Sequence, residues 1–104
     1  MCKRHEKEGV DFWWIDWQQH LTSPYTNSLS ETFWCNHVFY NEAAKRTGHR
    51  PVIFHRWGGL GSHRYQIGFS GDANISYDAL AFEPYFTATA SNVGYGYWGH
   101  DLGG

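Results

Sequence analysis

The stretch Pro51-Val52-Ile53-Phe54-His55-Arg56-Trp57-Gly58-Gly59-Leu60-Gly61-Ser62-His63-Arg64-Tyr65-Gln66-Ile67-Gly68-Phe69-Ser70-Gly71-Asp72 decides how the chain is read. It opens on Pro51–Phe54, a short apolar run with the length and character of a buried strand. A fixed cation, Arg56, follows. Trp57 to Ser62 is a glycine-rich loop. Tyr65–Phe69 is a second strand candidate, closed by Ser70-Gly71 and the carboxylate of Asp72. The ten residues between Phe54 and Tyr65 are too few for a helical crossover, so a loop or single turn is expected there.

The same pattern continues on both sides. Upstream, Val10 to Ile15 reads as a buried aromatic strand with Asp16 at its end, and Met1–Glu8 as the last turns of a helix leading into it. Gln18 to Ser30 is loop-like, with Ser23-Pro24 and Thr26-Asn27-Ser28 as turn signals. Ser30 is the expected N-cap of a helix to about Arg46, with Phe33, Val38 and Ala44 on its apolar side and Gly48 ending it. Downstream, Ile75 to about Ala90 reads as a helix broken near Pro84. Val93–Trp98 is a fourth strand, followed by Gly99-His100-Asp101. Strand, helix, strand, strand, helix, strand implies a parallel sheet with right-handed crossovers. Every strand is followed by a polar or charged residue: Asp16, Arg56, Asp72, Asp101. In a (β/α)8 barrel the active site lies at those C-terminal strand ends, and a whole barrel takes roughly 250 residues. The expected fold is therefore α/β, a partial (β/α)8 TIM barrel of about four consecutive strands. Residues 1–104 are expected to form one unit, a fragment of a larger domain.

Composition narrows the function. The 104 residues carry 8 Lys+Arg against 10 Asp+Glu, so the basic surplus of a nucleic-acid binder is missing. Aromatic residues make up 19% of the chain, which argues against a disordered tail. No apolar run reaches the length of a membrane span. Cys2 and Cys35 allow at most one disulfide, which excludes a disulfide scaffold. Seven histidines raise the question of a metal, but no His-x-x-x-His or Cys-x-x-Cys pair occurs, and no metal or other cofactor is expected. The glycine loop lacks the Lys-Ser/Thr of a phosphate loop.

Three segments resemble glycoside hydrolase family 31, the α-glucosidase and α-xylosidase family. Trp14-Ile15-Asp16 is similar to the family's W-x-D nucleophile motif at a strand end. Arg56 through Tyr65, with Phe69-Ser70-Gly71-Asp72, is similar to its arginine, glycine loop and W-x-G-D acid/base motif. Tyr97-Trp98-Gly99-His100-Asp101-Leu102-Gly103-Gly104 is similar to its G-x-D-x-G-G/C-G segment. Order and spacing agree from about Gly9 to Gly104. Trp17-Gln18-Gln19 stands where the family usually has Met-Asn-Glu, and Phe69 where it usually has Trp.

The resemblance implies a retaining α-glycosidase acting on terminal α-linked sugars of oligosaccharides or glycosides. Asp16 is then the nucleophile and Asp72 the acid/base. Arg56 and Asp101 hold sugar hydroxyls, and Trp14, Trp17 and Phe69 line the first subsite. The remainder of the barrel completes the site. The chemistry fits: retention needs two carboxyl groups about 5–5.5 Å apart, one attacking and one protonating, and a fixed cation keeps the nucleophile ionised. Each residue also has a plainer reading. Asp16 could cap a helix, and Asp72 and Asp101 are common turn formers. Arg56 could pair structurally with a barrel carboxylate. Arg64 reads as structural, Asp11 as the maker of a structural hydrogen bond, and His100 as a brace beside Asp101. The alternative function is a non-catalytic carbohydrate-binding homologue or module, in which the aromatic platforms, Arg56 and Asp101 serve without a carboxylate pair.

Overall fold

The computed structural model describes residues 2–17, 28–56 and 58–104. Most of the expected loop from Gln18 to Ser30, and Trp57 in the glycine loop, lie outside them. The elements in chain order are helix α1 (Cys2–Lys7), strand β1 (Trp13–Ile15), helix α2 (Glu31–Thr47), strand β2 (Ile53–His55), a 3-10 turn (Ser62–Tyr65), strand β3 (Ile67–Phe69), helix α3 (Tyr77–Asn92) and strand β4 (Trp98–Gly99). The four strands form one sheet in the order β1-β2-β3-β4, every pair parallel. This is the fold of four consecutive strands of a (β/α)8 barrel.

Strand alternation divides the sheet's side chains. Ile15, Ile53 and His55 point to one face, where Tyr65 and the α2 side chains Phe33, Phe39 and Tyr40 cover Ile15 and Ile53. Trp14, Phe54 and Phe69 point to the other, with Phe54 and Phe69 rings 4.7 Å apart and Trp14 and Phe69 rings 5.8 Å apart. The first face is the helix side of the barrel and the second its interior side.

α2 begins as its sequence predicts. The Ser30 side chain accepts from the Phe33 N–H at 3.4 Å, and Gly48 closes the helix at φ 70°. Its buried face differs from the expected one. Thr32, Asn36 and Ala43 are the buried positions, while Val38 and Trp34 are exposed. Phe33, Phe39 and Tyr40 flank that stripe.

The strands are shorter than the apolar runs that announced them. Val10 N–H donates to the His5 carbonyl, which ties Val10 to the end of α1, so β1 starts only at Trp13. Tyr65 ends the 3-10 turn and plugs the core rather than opening β3. Tyr95 N–H donates to the Ala90 carbonyl and Gly94 sits at φ 81°, so Val93–Tyr95 wind down α3 and β4 begins at Trp98. α3 also corrects an expectation, for it runs through Pro84 unbroken. Pro84 lies on an exposed stretch, where solvent can take the bond that its missing N–H leaves unmade. Asp11 is exposed ahead of β1 and makes no hydrogen bond among the described residues. Cys2 and Cys35 are both free.

Candidate active site

Asp16 and Arg56 are the first residues past β1 and β2. Alternation puts Asp16 on the face of Trp14 and Arg56 on the face of Phe54, and the register pairs Trp14 with Phe54 and Ile15 with His55. The next step along both strands therefore sets Asp16 beside Arg56. Arg56 N–H donates to the Ile15 carbonyl at 3.3 Å, and Arg56 Nη1 donates to Asp16 Oδ1 at 3.2 Å. The other end of the fork, Nη2, lies 3.1 Å from Asp72 Oδ2.

One guanidinium thus touches two carboxylates. Its terminal nitrogens sit side by side, so the facing oxygens of Asp16 and Asp72 lie within roughly 9 Å of each other. Their surroundings differ: the Asp16 side chain is 18% exposed and that of Asp72 66%. Burial of Arg56 works against its charge, yet hydrogen bonds to Asp16 and then Asp72 more than offset this and raise its pKa above the usual arginine value.

Two backbone features make this contact possible. Gly71 has φ 69°, and a Cβ there would land on Nε and Cζ of Arg56, so only glycine lets the β3 loop lie against the guanidinium. Trp17 holds φ 53°, unusual for a bulky residue. Its N–H donates to Asp16 Oδ1 at 2.8 Å, and the Arg56 guanidinium lies 4.9 Å from its ring centroid.

The family model for the glycosyl hydrolases family 31 TIM-barrel domain matches residues 1–104. The chain belongs to glycosyl hydrolase family 31. No curated protein and no solved structure gives a match. Family membership supports glycosidase activity on a carbohydrate substrate in general. No helix among the described residues is long and apolar enough to cross a membrane, and these residues contain no group of three or more His, Cys, Asp or Glu side chains placed to hold a metal.

The family 31 strand ends bring five of the seven expected site residues together. Asp16, Asp72, Arg56 and Trp17 form the cluster, and Phe69, 1% exposed, lies below it against Trp14 and Phe54. Trp14 shares that aromatic layer but is 59% exposed. Asp101 stands apart. Its N–H donates to Ser70 Oγ at 3.2 Å, which ties the β4 end to the β3 end. Its exposed side chain borders an adjoining depression with Ala73, Glu83 and Leu102. His100 packs on α3: Nε2 is 3.1 Å from Thr87 Oγ1 and Nδ1 is 3.7 Å from Glu83, so it braces β4 against α3 while lining the cavity that Arg56 also borders. Arg64 is exposed. A cavity of about 360 Å³ opens between the ends of β3 and β4 and α3, with Arg56, Phe69, Ser70, Phe86 and Trp98 in its lining.

Sequence reasoning passed over the group directly behind Arg56. His55 is fully buried, as is Asn36 of α2, and Tyr95 is 6% exposed. Asn36 Nδ2 lies 3.1 Å from His55 Nδ1, and Tyr95 Oη 3.3 Å from His55 Nε2. Burial pushes the Tyr95 hydroxyl well above the ordinary tyrosine range. A signal existed: Thr32 and Asn36, four apart, lie on one face of the helix between the aromatic pairs Phe33-Trp34 and Phe39-Tyr40.

Proposed function

We propose that this chain carries the two catalytic carboxylates of a retaining α-glycosidase. In this reading Asp16 attacks the anomeric carbon while Asp72 gives its proton to the leaving oxygen, forming a covalent glycosyl–Asp16 ester. A water activated by Asp72 then cleaves the ester with a second inversion, so configuration is retained. The observation that carries the reading is the shared guanidinium. Both carboxylates meet Arg56 at adjacent strand ends, a separation that admits the 5–5.5 Å of a retaining pair.

The two carboxylates differ in exposure and in mobility of their setting. Asp16 is shielded, and its carboxylate is held in place by bonds accepted from both Arg56 and the Trp17 N–H. Asp72 is exposed on a loop hinged at Gly71, where it can leave Arg56 and meet the leaving group. Once a sugar enters, Arg56 donates to its hydroxyls, and Trp14 and Trp17 offer apolar faces to the ring, with Phe69 packed behind Trp14. Asp101 holds a further hydroxyl after its side chain turns toward the cluster. The substrates are terminal α-linked sugars of oligosaccharides or glycosides, the reaction needs no cofactor, and residues 1–104 are a piece of the catalytic barrel.

The test is the stereochemistry of the first product. The full-length protein is given p-nitrophenyl α-glucoside, α-xyloside or α-galactoside, and the released sugar is followed by proton NMR before mutarotation. The α-anomer is expected first. The β-anomer would contradict double displacement. Sugar binding with no turnover on any of the three would favour the non-catalytic homologue, a reading supported by the aromatic layer and Arg56 alone.

A further inference from the structure

His55 lies one residue before Arg56 and on the opposite face of β2. It is fully buried, yet both its ring nitrogens have partners in other elements. Asn36 reaches it from α2, and with the amide nitrogen facing the ring Nδ1 can only accept. The ring proton then sits on Nε2 and donates to the Tyr95 hydroxyl, on the segment that leads into β4. The imidazole and the Tyr95 ring lie nearly parallel, 14° apart in plane, with centroids 6.1 Å apart.

Gly68 of β3 pairs with His55 across the sheet. A Cβ at Gly68 would collide with the Tyr95 hydroxyl and the Trp98 ring. The missing side chain on β3 is therefore what lets Tyr95 reach over β3 to β2. One imidazole joins α2, β2 and the approach to β4, immediately behind the residue that both carboxylates touch.

We propose that His55 is a positioning residue for Arg56. The Asn36–His55–Tyr95 chain fixes the height and rotation of the β2 end. The Arg56 backbone can then set its fork at Asp16 on one side and Asp72 on the other. The proposal rests on the reading of Arg56 as a sugar-site residue. It differs from a plain packing role in one respect: disturbing His55 must act through Arg56. A fully hydrogen-bonded buried polar group has one arrangement, whereas an apolar side chain in the same space would leave Asn36 and Tyr95 to find others.

A double-mutant cycle in the full-length protein tests this. His55→Phe keeps a flat aromatic ring, one atom larger, and removes both bonds, and Arg56→Lys removes the fork. Turnover is measured on the p-nitrophenyl α-glycosides, and affinity on free glucose, xylose and galactose by calorimetry. His55→Phe is expected to lower kcat/KM at least tenfold in the unaltered background and less than twofold when Arg56 is already Lys. The kcat should carry most of the loss. Equal losses in both backgrounds would overturn the proposal, since His55 would then act independently of Arg56. If His55→Phe does not fold, Tyr95→Phe, which deletes one hydroxyl, enters the same cycle. Coupling seen in sugar affinity without turnover would uphold the positioning role and overturn the glycosidase reading. Neither binding nor turnover by the unaltered protein would overturn both.

Discussion

Arg56 keeps its charge in a nearly buried place because two carboxylates face it. A lysine there is a compact point charge without the planar fork that gives one nitrogen to Asp16 and the other to Asp72. Arg56→Lys should lower kcat/KM by about 10²-fold, the scale expected when a reacting group is misplaced by an ångström; steady-state kinetics on the full-length protein checks this. Gly71→Ala faces two penalties. The left-handed backbone costs a side chain about 1–2 kcal/mol, and the added methyl displaces Arg56. A melt should show the first as a modest fall in Tm, and kinetics the second as a far larger loss of turnover than of stability. Much of this cluster was legible, because Asp16, Arg56 and Asp72 each stand at a strand end with the right spacing. The joint ion pair on one guanidinium was not, since it depends on the β1–β2 register and on the φ of Gly71. Asp101 and His100 show the limit. Adjacent in sequence, they point into different surroundings, one solvated and one packed on α3.

Among the elements, α1, α2 and β1 are joined at the end of the sheet away from the carboxylates. Glu6 accepts from Arg46 Nε at 2.6 Å, Arg46 Nη2 at 2.5 Å and Trp13 Nε1 at 2.9 Å. Hydrogen bonds from Arg46, then Trp13, lower its pKa from 4.5 to about 2. The folded state therefore binds this proton more weakly than the unfolded chain does. Its contribution to stability is complete above pH 4.5 and is lost as pH falls from there to about 2. Melts from pH 5 to 2 should show this acid limb shrink in Glu6→Gln. The cap of α2 is a weaker contact. With Ser30 bonding at 3.4 Å, Ser30→Ala should cost about 0.5–1 kcal/mol, at the low end for caps. The ends of α2 could be read from Ser30 and Gly48 because capping is local chemistry. Its buried stripe of Thr32, Asn36 and Ala43 could not, since Asn36 is buried by its bond to His55, nineteen positions away. In α3, Pro84 carried a real local preference that an exposed setting overrode.

At the scale of the molecule, the sheet formed by the described residues has two open edges, β1 and β4, and an interior face on which Trp14 is largely uncovered. Phe12, Val10 and Trp17 add exposed apolar surface at the same strand. Such edges and patches are normally paired or covered. Residues 1–104 expressed alone should bind a hydrophobic dye, melt without a sharp transition and show no glycosidase turnover. A cooperative melt with turnover would show that four strands suffice. The barrel class was readable from the rhythm of strand ends and their polar residues, whereas the true strand lengths were set by turns such as Gly94–Tyr95 that borrow residues from the apolar runs. The central claim is that Asp16 and Asp72 act on one sugar. The full-length protein should be incubated with 5-fluoro-α-glycosyl fluorides, digested and analysed by tandem mass spectrometry. The account predicts a single glycosyl adduct on the Asp16 carboxylate, still formed in Asp72→Asn because fluoride leaves without a proton, but hydrolysed much more slowly there. An adduct on any other residue, or turnover unchanged by Asp16→Asn, would contradict it.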